Sequence, residues 1–338
     1  MKLLPLRAKL VVATAVTGGL VVLGLAVHDV VNRGLPDTKQ TVFAAVFGGL
    51  IIVSWLRPLL IYVGEQSQAI HLDEAFFVVL TLLVRPSLVV LSFATASLVA
   101  QSIKRRPVVK SAFNCGQLIV SVAAGVSVFS FLNHQGRLGY QSVGAVVVGA
   151  LVFFVINNTA VVAVLRAAGE DWHSALFEGL GGRLLLDGGG VIVAVATALL
   201  VSADTWALPF AVLPLLLFRE VLSGHFEAQR DRDRVRGLFE AALEAHQLSR
   251  EQDVSGAILR SARVLLRCND AELTDGPPEN GGLSAKLPLP DGQVWLTVSG
   301  RSRTEPVNVS DRRLLDALAA VGAGAMCVTR FRTEEMSR

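Results

Sequence analysis

Charge and cysteine are both scarce in this chain, and each shortage closes off a class of protein. There are three cysteines in 338 residues. Cys115, Cys268 and Cys327 lie far apart, with no CxxC or Cys/His spacing. That pattern argues against a disulfide framework and against a zinc site, and it fits reduced, structural cysteines in a cytoplasmic setting. Only 17% of residues are charged, and the net charge is +3. So small an excess gives no electrostatic footprint for nucleic acid. Nothing in the spacing places Ser, His and Asp together, so no catalytic residue, no metal site and no cofactor is assigned.

What the chain has instead is apolar sequence, 52% of its residues, and it is unevenly placed. Residues 1 to about 218 are successive apolar runs broken by short polar loops, whereas Arg, Glu and Asp become frequent from Arg219 onward. This predicts a membrane portion, 1–218, followed by a soluble portion. The basic cluster Lys104-Arg-Arg-Pro-Val-Val-Lys110 fixes the direction of the runs. Lys104, Arg105, Arg106 and Lys110 are hard to carry across a bilayer, so they act as a topology anchor on the cytoplasmic side. The run 10–28 follows Lys2, Arg7 and Lys9, is long enough to cross and has no A-x-A-like cleavage site, so it reads as an uncleaved first span.

Further spans follow at 41–56, 75–84, 87–103, 111–132, 143–165, 184–202 and 206–218. The third is short. Reading 74–103 as one span would leave the cationic N-terminus and the basic loop on opposite sides, so a pair broken at Arg85-Pro86 is expected. Trp55 and Arg57 read as an interfacial pair and 58–73 as a structured loop. Pro209 and Pro214 should kink the last span. Eight spans put both chain ends in the cytoplasm of a bacterial inner-membrane protein.

Residues 219–249 form a charged, helix-favouring connector that reads as a continuous helix leaving the last span, and in it Val235, Leu238, Phe239, Ala242 and Leu243 recur at helical spacing, suited to pairing with its copy as a coiled coil. Ser249-Arg-Glu-Gln252 fits a capping box, and Val254, Ile258, Leu259, Ala262, Leu265 and Leu266 line one face of the next helix. Short strands are expected at 270–273, 284–289 and 293–299, with Asp291-Gly292 as a hairpin turn. Ser310 should cap a last helix facing inward through Leu314, Leu315, Leu318, Val321 and Ala325.

The order helix, strand, hairpin, helix over 250–332 resembles a GAF domain. Leu287-Pro-Leu-Pro-Asp-Gly-Gln-Val-Trp-Leu-Thr-Val298 and Val309-Ser-Asp-Arg-Arg-Leu-Leu-Asp-Ala-Leu-Ala319 look like that family's last hairpin and closing helix. Residues 274–283 stand where the family keeps extra strands and the helices walling its ligand pocket, so the resemblance implies a shortened α+β domain, 250–338, without that pocket. The membrane portion resembles the multi-span sensor modules that bacterial signalling proteins place ahead of GAF, diguanylate cyclase or HD-type phosphodiesterase domains. Leu72-Asp-Glu-Ala-Phe-Phe77, the basic loop with Phe113-Asn-Cys-Gly-Gln117, and Ile156-Asn-Asn-Thr159 carry that resemblance. It implies signal transduction through a homodimer joined along 219–247. No GGDEF, EAL or HD signature and no kinase phospho-acceptor box occurs in the chain, so no enzymatic output is expected and a separate cytoplasmic effector is implied.

Polar side chains inside spans are the candidates for ligand or ion binding, because hydrocarbon tolerates them only when paired or wetted. Asn114, Gln117, Asn157, Asn158 and Asp187 fall at similar depth in the cytoplasmic half, by about 1.5 Å per residue. They form either one polar layer or interhelical glue worth about 1 kcal/mol each. Asp187 is the only acid well inside a span, and Gly188-Gly-Gly190 after it permits close helix approach or local unwinding. Asp73 and Glu74 read as acids meeting the macrodipole of the short span, and Gly18-Gly19 and Gly48-Gly49 as packing sites. A transport protein whose substrate path is the polar layer is the competing expectation.

Overall fold

In a computed structural model, residues 5–34, 36–63, 66–133, 140–169, 180–248, 250–278, 282–289, 292–300 and 309–336 are described. The chain separates into two compact units, 1–63 with 67–223, and 64–66 with 224–338.

The first unit is a helical bundle. Its helices are α1 (Leu6–Arg33), α2 (Thr38–Leu56), α3 (Asp73–Leu83), α4 (Pro86–Ile103), α5 (Val108–Leu132), α6 (Tyr140–Ala168), α7 (Leu180–Ala203) and the start of α8 (Leu208–Gln247). Between α2 and α3 the expected loop is a two-stranded hairpin, β1 (Leu59–Val63) and β2 (Gln66–Ile70). The 74–103 region is two helices, broken at Val84-Arg85, with Pro86 in the first turn of α4 where its missing donor costs nothing.

Although α3 has only eleven residues, it runs between the two ends of α2. Trp55, at the end of α2, bonds Asp73, whereas the Arg85 backbone N–H reaches the Gln40 side chain near the start of α2. The direction of the chain therefore reverses at each of these helices.

Close backbone crossings hold the bundle together. A Cβ on Gly116 would sit 2.5 Å from the Ala15 carbonyl oxygen, and one on Gly125 would sit 2.6 Å from that of Gly149. Glycine lets α1 approach α5, and α5 approach α6, at distances no side chain permits. Gly19 is part of the first crossing, whereas Gly48 and Gly49 face open space or a side chain no closer than 3.9 Å.

Among the described residues, eight helices are long and apolar enough to cross a membrane: α1, α2, α4 to α8, and the last helix, α10 (Val309–Met336). These establish a multi-pass helical membrane protein, but they are not the eight spans the sequence suggests. Helix α3 is too short to qualify. Helix α10 buries Leu315, Leu318 and Ala319 in the core of the second unit.

That second unit sets α9 (Glu251–Leu266) and α10 against a three-stranded antiparallel sheet of order β3-β5-β4, formed by β3 (Asp270–Thr274), β4 (Leu283–Leu289) and β5 (Gly292–Ser299). Alternation decides which strand residues enter the core. Ala285 and Leu287 of β4 and Leu296 and Val298 of β5 are buried with Ile258 and Leu266 of α9. Leu289 pairs with Gly292, so Gly292 already belongs to β5, and Asp291 of the expected turn pair lies outside the described residues. Ser249 of the expected capping box lies outside the described residues; Arg250 precedes α9 and gives it no side-chain cap, and Ser310 falls inside α10, not ahead of it.

Helix α8 carries the last span into the connector as one continuous helix, as expected. It continues without interruption from Leu208 to Gln247 through Pro214. Pro209 is its second residue, where no donor is missed. Ala211 and Leu215 are buried near one end, Ala241 and Ala245 near the other.

Candidate functional site

The polar interior of the bundle is organised by the first turn of α3. Asp73 to Thr81 are all buried, because α2, α4, α5, α6 and α7 pack around this one short helix. Its first turn carries Asp73 and Glu74, so two carboxylates end up inside an apolar unit. Asp73 Oδ1 accepts the indole N–H of Trp55 at 2.8 Å. His71 stacks on the Trp55 ring, centroids 4.9 Å apart, with Nδ1 3.3 Å from the Ser54 carbonyl oxygen. The Leu72 N–H points at Ser54 Oγ at 3.4 Å. Trp55 is thus an interior residue tied to an acid, not half of an interfacial pair. His71 is held by these contacts, and no group of three metal-ligating side chains occurs among the described residues.

Helix α7 packs along α3 and brings Asp187 within electrostatic reach of Asp73. The glycines after it face two neighbouring helices. Cβ atoms at Gly189 and Gly190 would lie 3.1 Å from Phe218 Cζ and 3.5 Å from Ala75 Cβ. Since α7 is unbroken here, Gly188-Gly-Gly190 is not a site of local unwinding; Gly189 packs tightly against Phe218 of α8, whereas Gly188 has nothing within 4 Å.

The amides can be placed by register. Gly125 and Gly149 mark where antiparallel α5 and α6 cross. Eight residues from those points, toward the 104–107 connection and so about 12 Å along each helix, come Gln117 and Asn157. Phe77 of α3 stacks on Phe153 at 5.1 Å and abuts Gly125. Asp73 and Asn157 are each one turn further toward the same end. Asp73, Glu74, Gln117 and Asn157 therefore share a depth on three helices, with Asp187 beside Asp73 on a fourth.

Gln117 Oε1 and Asn157 Oδ1 are buried with no hydrogen-bond partner, which costs about 1–3 kcal/mol per group unless something pairs with it. Two expected members behave differently. Asn158 donates Nδ2–H to Phe154 O of its own helix at 2.8 Å, and Asn114 is half-buried one turn nearer the connection. Gln101, one turn from the same connection on α4, also has both amide atoms buried and unpartnered.

The acids of α3 were missed as members of this layer because macrodipole compensation accounts for them by itself at any exposed helix start. Only the burial of the whole of α3 distinguishes the two cases. The pairing of Leu72-Asp-Glu-Ala-Phe-Phe77 with an aromatic at the end of the preceding span was the available signal.

The basic cluster forms the tight α4–α5 connection. Arg105 adopts a left-handed backbone, φ 49°, and the Arg106 N–H reaches Gln101 O at 3.4 Å. Arg105 and Lys110 are exposed, whereas Lys104 and Arg106 are half-buried. Partial burial, with Arg106 beside it, pulls the Lys104 ammonium below the usual lysine range.

No family model, curated protein or solved structure matches this chain.

Proposed function

We propose that this chain is a signal-transducing protein of a bacterial cytoplasmic membrane, sensing a ligand or membrane state in its bundle and presenting the result to a separate cytoplasmic effector, with no catalysis of its own. The observation that carries this reading is helix α8. One continuous helix of forty residues contributes Leu215 to the membrane unit and Ala241 and Ala245 to the second. An α-helix transmits rotation or translation along its axis because its backbone bonds are all internal.

On the part of α8 in the second unit, Val235, Phe239 and Leu243 are 69%, 65% and 49% exposed. They follow one another at i, i+4 and i+8, a single apolar face suited to the same face of a second copy. The buried layer around Asp73 and Asp187 is the input, and the second unit, read as a shortened GAF-like domain, is the output surface. Both chain ends share the cytoplasmic side with the Lys104–Lys110 cluster.

Oxidative cross-linking of single cysteines placed along 232–246, in native membranes, tests this reading. Dimers peaking at positions 235, 239 and 243 are expected. A flat profile, or a monomer throughout, refutes it.

The unpartnered Gln117 and Asn157 oxygens beside buried acids favour one second reading, a cation or proton path through the bundle. Ion flux in proteoliposomes, abolished by Asp187→Asn, supports that reading and its absence refutes it.

A further inference from the structure

One corner of the bundle, where α1, α4 and α5 meet, carries cations and no acids. No Asp or Glu occurs before Asp29 or between Glu74 and Glu170, whereas Arg7, Lys9, Lys104, Arg105, Arg106 and Lys110 fall within those stretches. Register brings the two groups of cations to one level. Helices α1 and α5 run in the same direction, with Ala15 against Gly116 and Gly18 against Val120. Arg7 and Lys9 lie eight and six residues before Ala15, and Val108 and Lys110 lie eight and six before Gly116. Both pairs are therefore about 9–12 Å along their helices from the crossing, beside the 104–107 connection. Helix α4, which delivers Lys104, packs on α1 as well as on α5.

Three details go beyond what a topology anchor requires. First, none of the six cations meets a carboxylate among the described residues, whereas Arg33, Arg219 and Arg330 of the same chain are each paired. Cations gathered at one level repel one another, and an anion brought among them is attracted by all. Second, apolar side chains are interleaved with the charges. Leu6, Leu10, Ile103 and Val108 are exposed, Val108 by 83%. A soluble anion gains nothing from them, but a phospholipid presents a phosphate and acyl chains together and matches both. Third, Arg105 occupies the left-handed position of the loop, φ 49°, where glycine is accommodated with least strain. A cation is kept there at a cost, although Lys104, Arg106 and Lys110 already supply the positive charge that fixes direction.

We propose that this corner binds the headgroup of an anionic phospholipid, with its acyl chains against the exposed apolar residues beside the cations. A zwitterionic headgroup brings a cation of its own and cancels most of the attraction, so the preference is for net negative lipid. Arginine adds planar, forked donors that suit a phosphate in geometry as well as charge. The proposal stands whether or not the bundle senses a signal.

The test uses the full chain, purified from bilayers holding equal amounts of phosphatidylcholine and phosphatidylglycerol. Mass spectrometry measures the lipid that stays bound in detergent. Enrichment of phosphatidylglycerol, falling as salt is raised, is expected. Each cation near an anionic membrane surface contributes on the order of a fivefold preference. Arg105→Gly and Lys110→Gln should therefore each lower the enrichment about fivefold. Glycine suits the backbone at 105 and Lys110 is exposed, so both variants should keep the wild-type melting temperature in phosphatidylcholine. Lys39→Gln removes an exposed cation in the first turn of α2, at the opposite end of the bundle, and should leave the enrichment unchanged. A loss in either corner variant that spares Lys39→Gln supports the proposal. Equal retention of the two lipids by the wild type, wild-type enrichment in both corner variants, or the same loss in Lys39→Gln overturns it. So does displacement of the retained lipid by pyrophosphate, which would make the occupant a soluble phosphate.

Discussion

At the scale of single residues, backbone approach and buried charge set the sharpest limits. Gly116 has the Ala15 carbonyl oxygen 2.5 Å from where a Cβ would stand, and a carbonyl in a packed helix cannot step aside. Gly116→Ala is expected to destabilise the bundle by about 1–3 kcal/mol, the usual cost of overpacking. Gly24→Ala, with nothing within 4 Å, should leave it unchanged, and thermal unfolding in one detergent compares the two. In the second unit, Arg330 grips Glu251 through two bonds, of 2.5 and 3.1 Å, and holds its carboxyl below the usual range. The folded pKa is therefore lower than the unfolded one. The stabilisation is fully present above the unfolded value and is lost as pH falls through the folded value. Both side chains are partly exposed, 38% and 41%, so the effect is modest. The stability gap between wild type and Glu251→Gln should be constant near neutrality and close in acid, below the ordinary glutamate value of 4.5. Chemical denaturation across that range measures it.

At the scale of elements, α8 and α3 show what the sequence makes legible and where it stops. The apolar runs, the Arg85-Pro86 break and the amphipathic stripes of α9 and α10 are each strong local signals, because period and length alone determine them. The continuity of α8 across Arg219 is legible as well, because the segment after the change in composition is charged, helix-favouring and free of proline. Pro214 costs one backbone bond and is tolerated within the run. The hairpin before α3 was illegible for another reason. Glu65, Gln66 and Gln68 interrupt its alternation, so neither period is sustained. The polar layer was half legible. Depth counting finds Gln117, Asn157 and Asp187, but only packing around α3 shows that Asp73 and Glu74 belong with them, and only rotamers show Asn158 turned to its own helix. The exposed face of α8 gives a prediction at this scale. Phe239→Asp should abolish cross-linking through position 235, and should change stability by no more than about 0.5 kcal/mol, as expected for an exposed site. A large loss of stability instead would mean that Phe239 packs within its own chain.

At the scale of the whole molecule, α8 is, among the described helices, the one that contributes residues to both units, the first holding the buried polar layer and the second the exposed apolar face. Asp187 is the residue to perturb, since it lies on α7, whose Thr197 hydroxyl also bonds the Ala211 carbonyl of α8 at 3.2 Å. Asp187→Asn replaces the carboxylate beside Asp73 with a neutral amide of almost the same volume, so any distant consequence arises from changed charge or hydrogen bonding and not from lost packing. The most direct measurement is the distance between spin labels at position 243 in two copies, recorded in lipid nanodiscs for the wild type and for Asp187→Asn. A short, defined distance in the wild type that shifts or broadens in the variant is the expected result. Two copies with no dipolar coupling, or identical distributions in both proteins, would contradict the account.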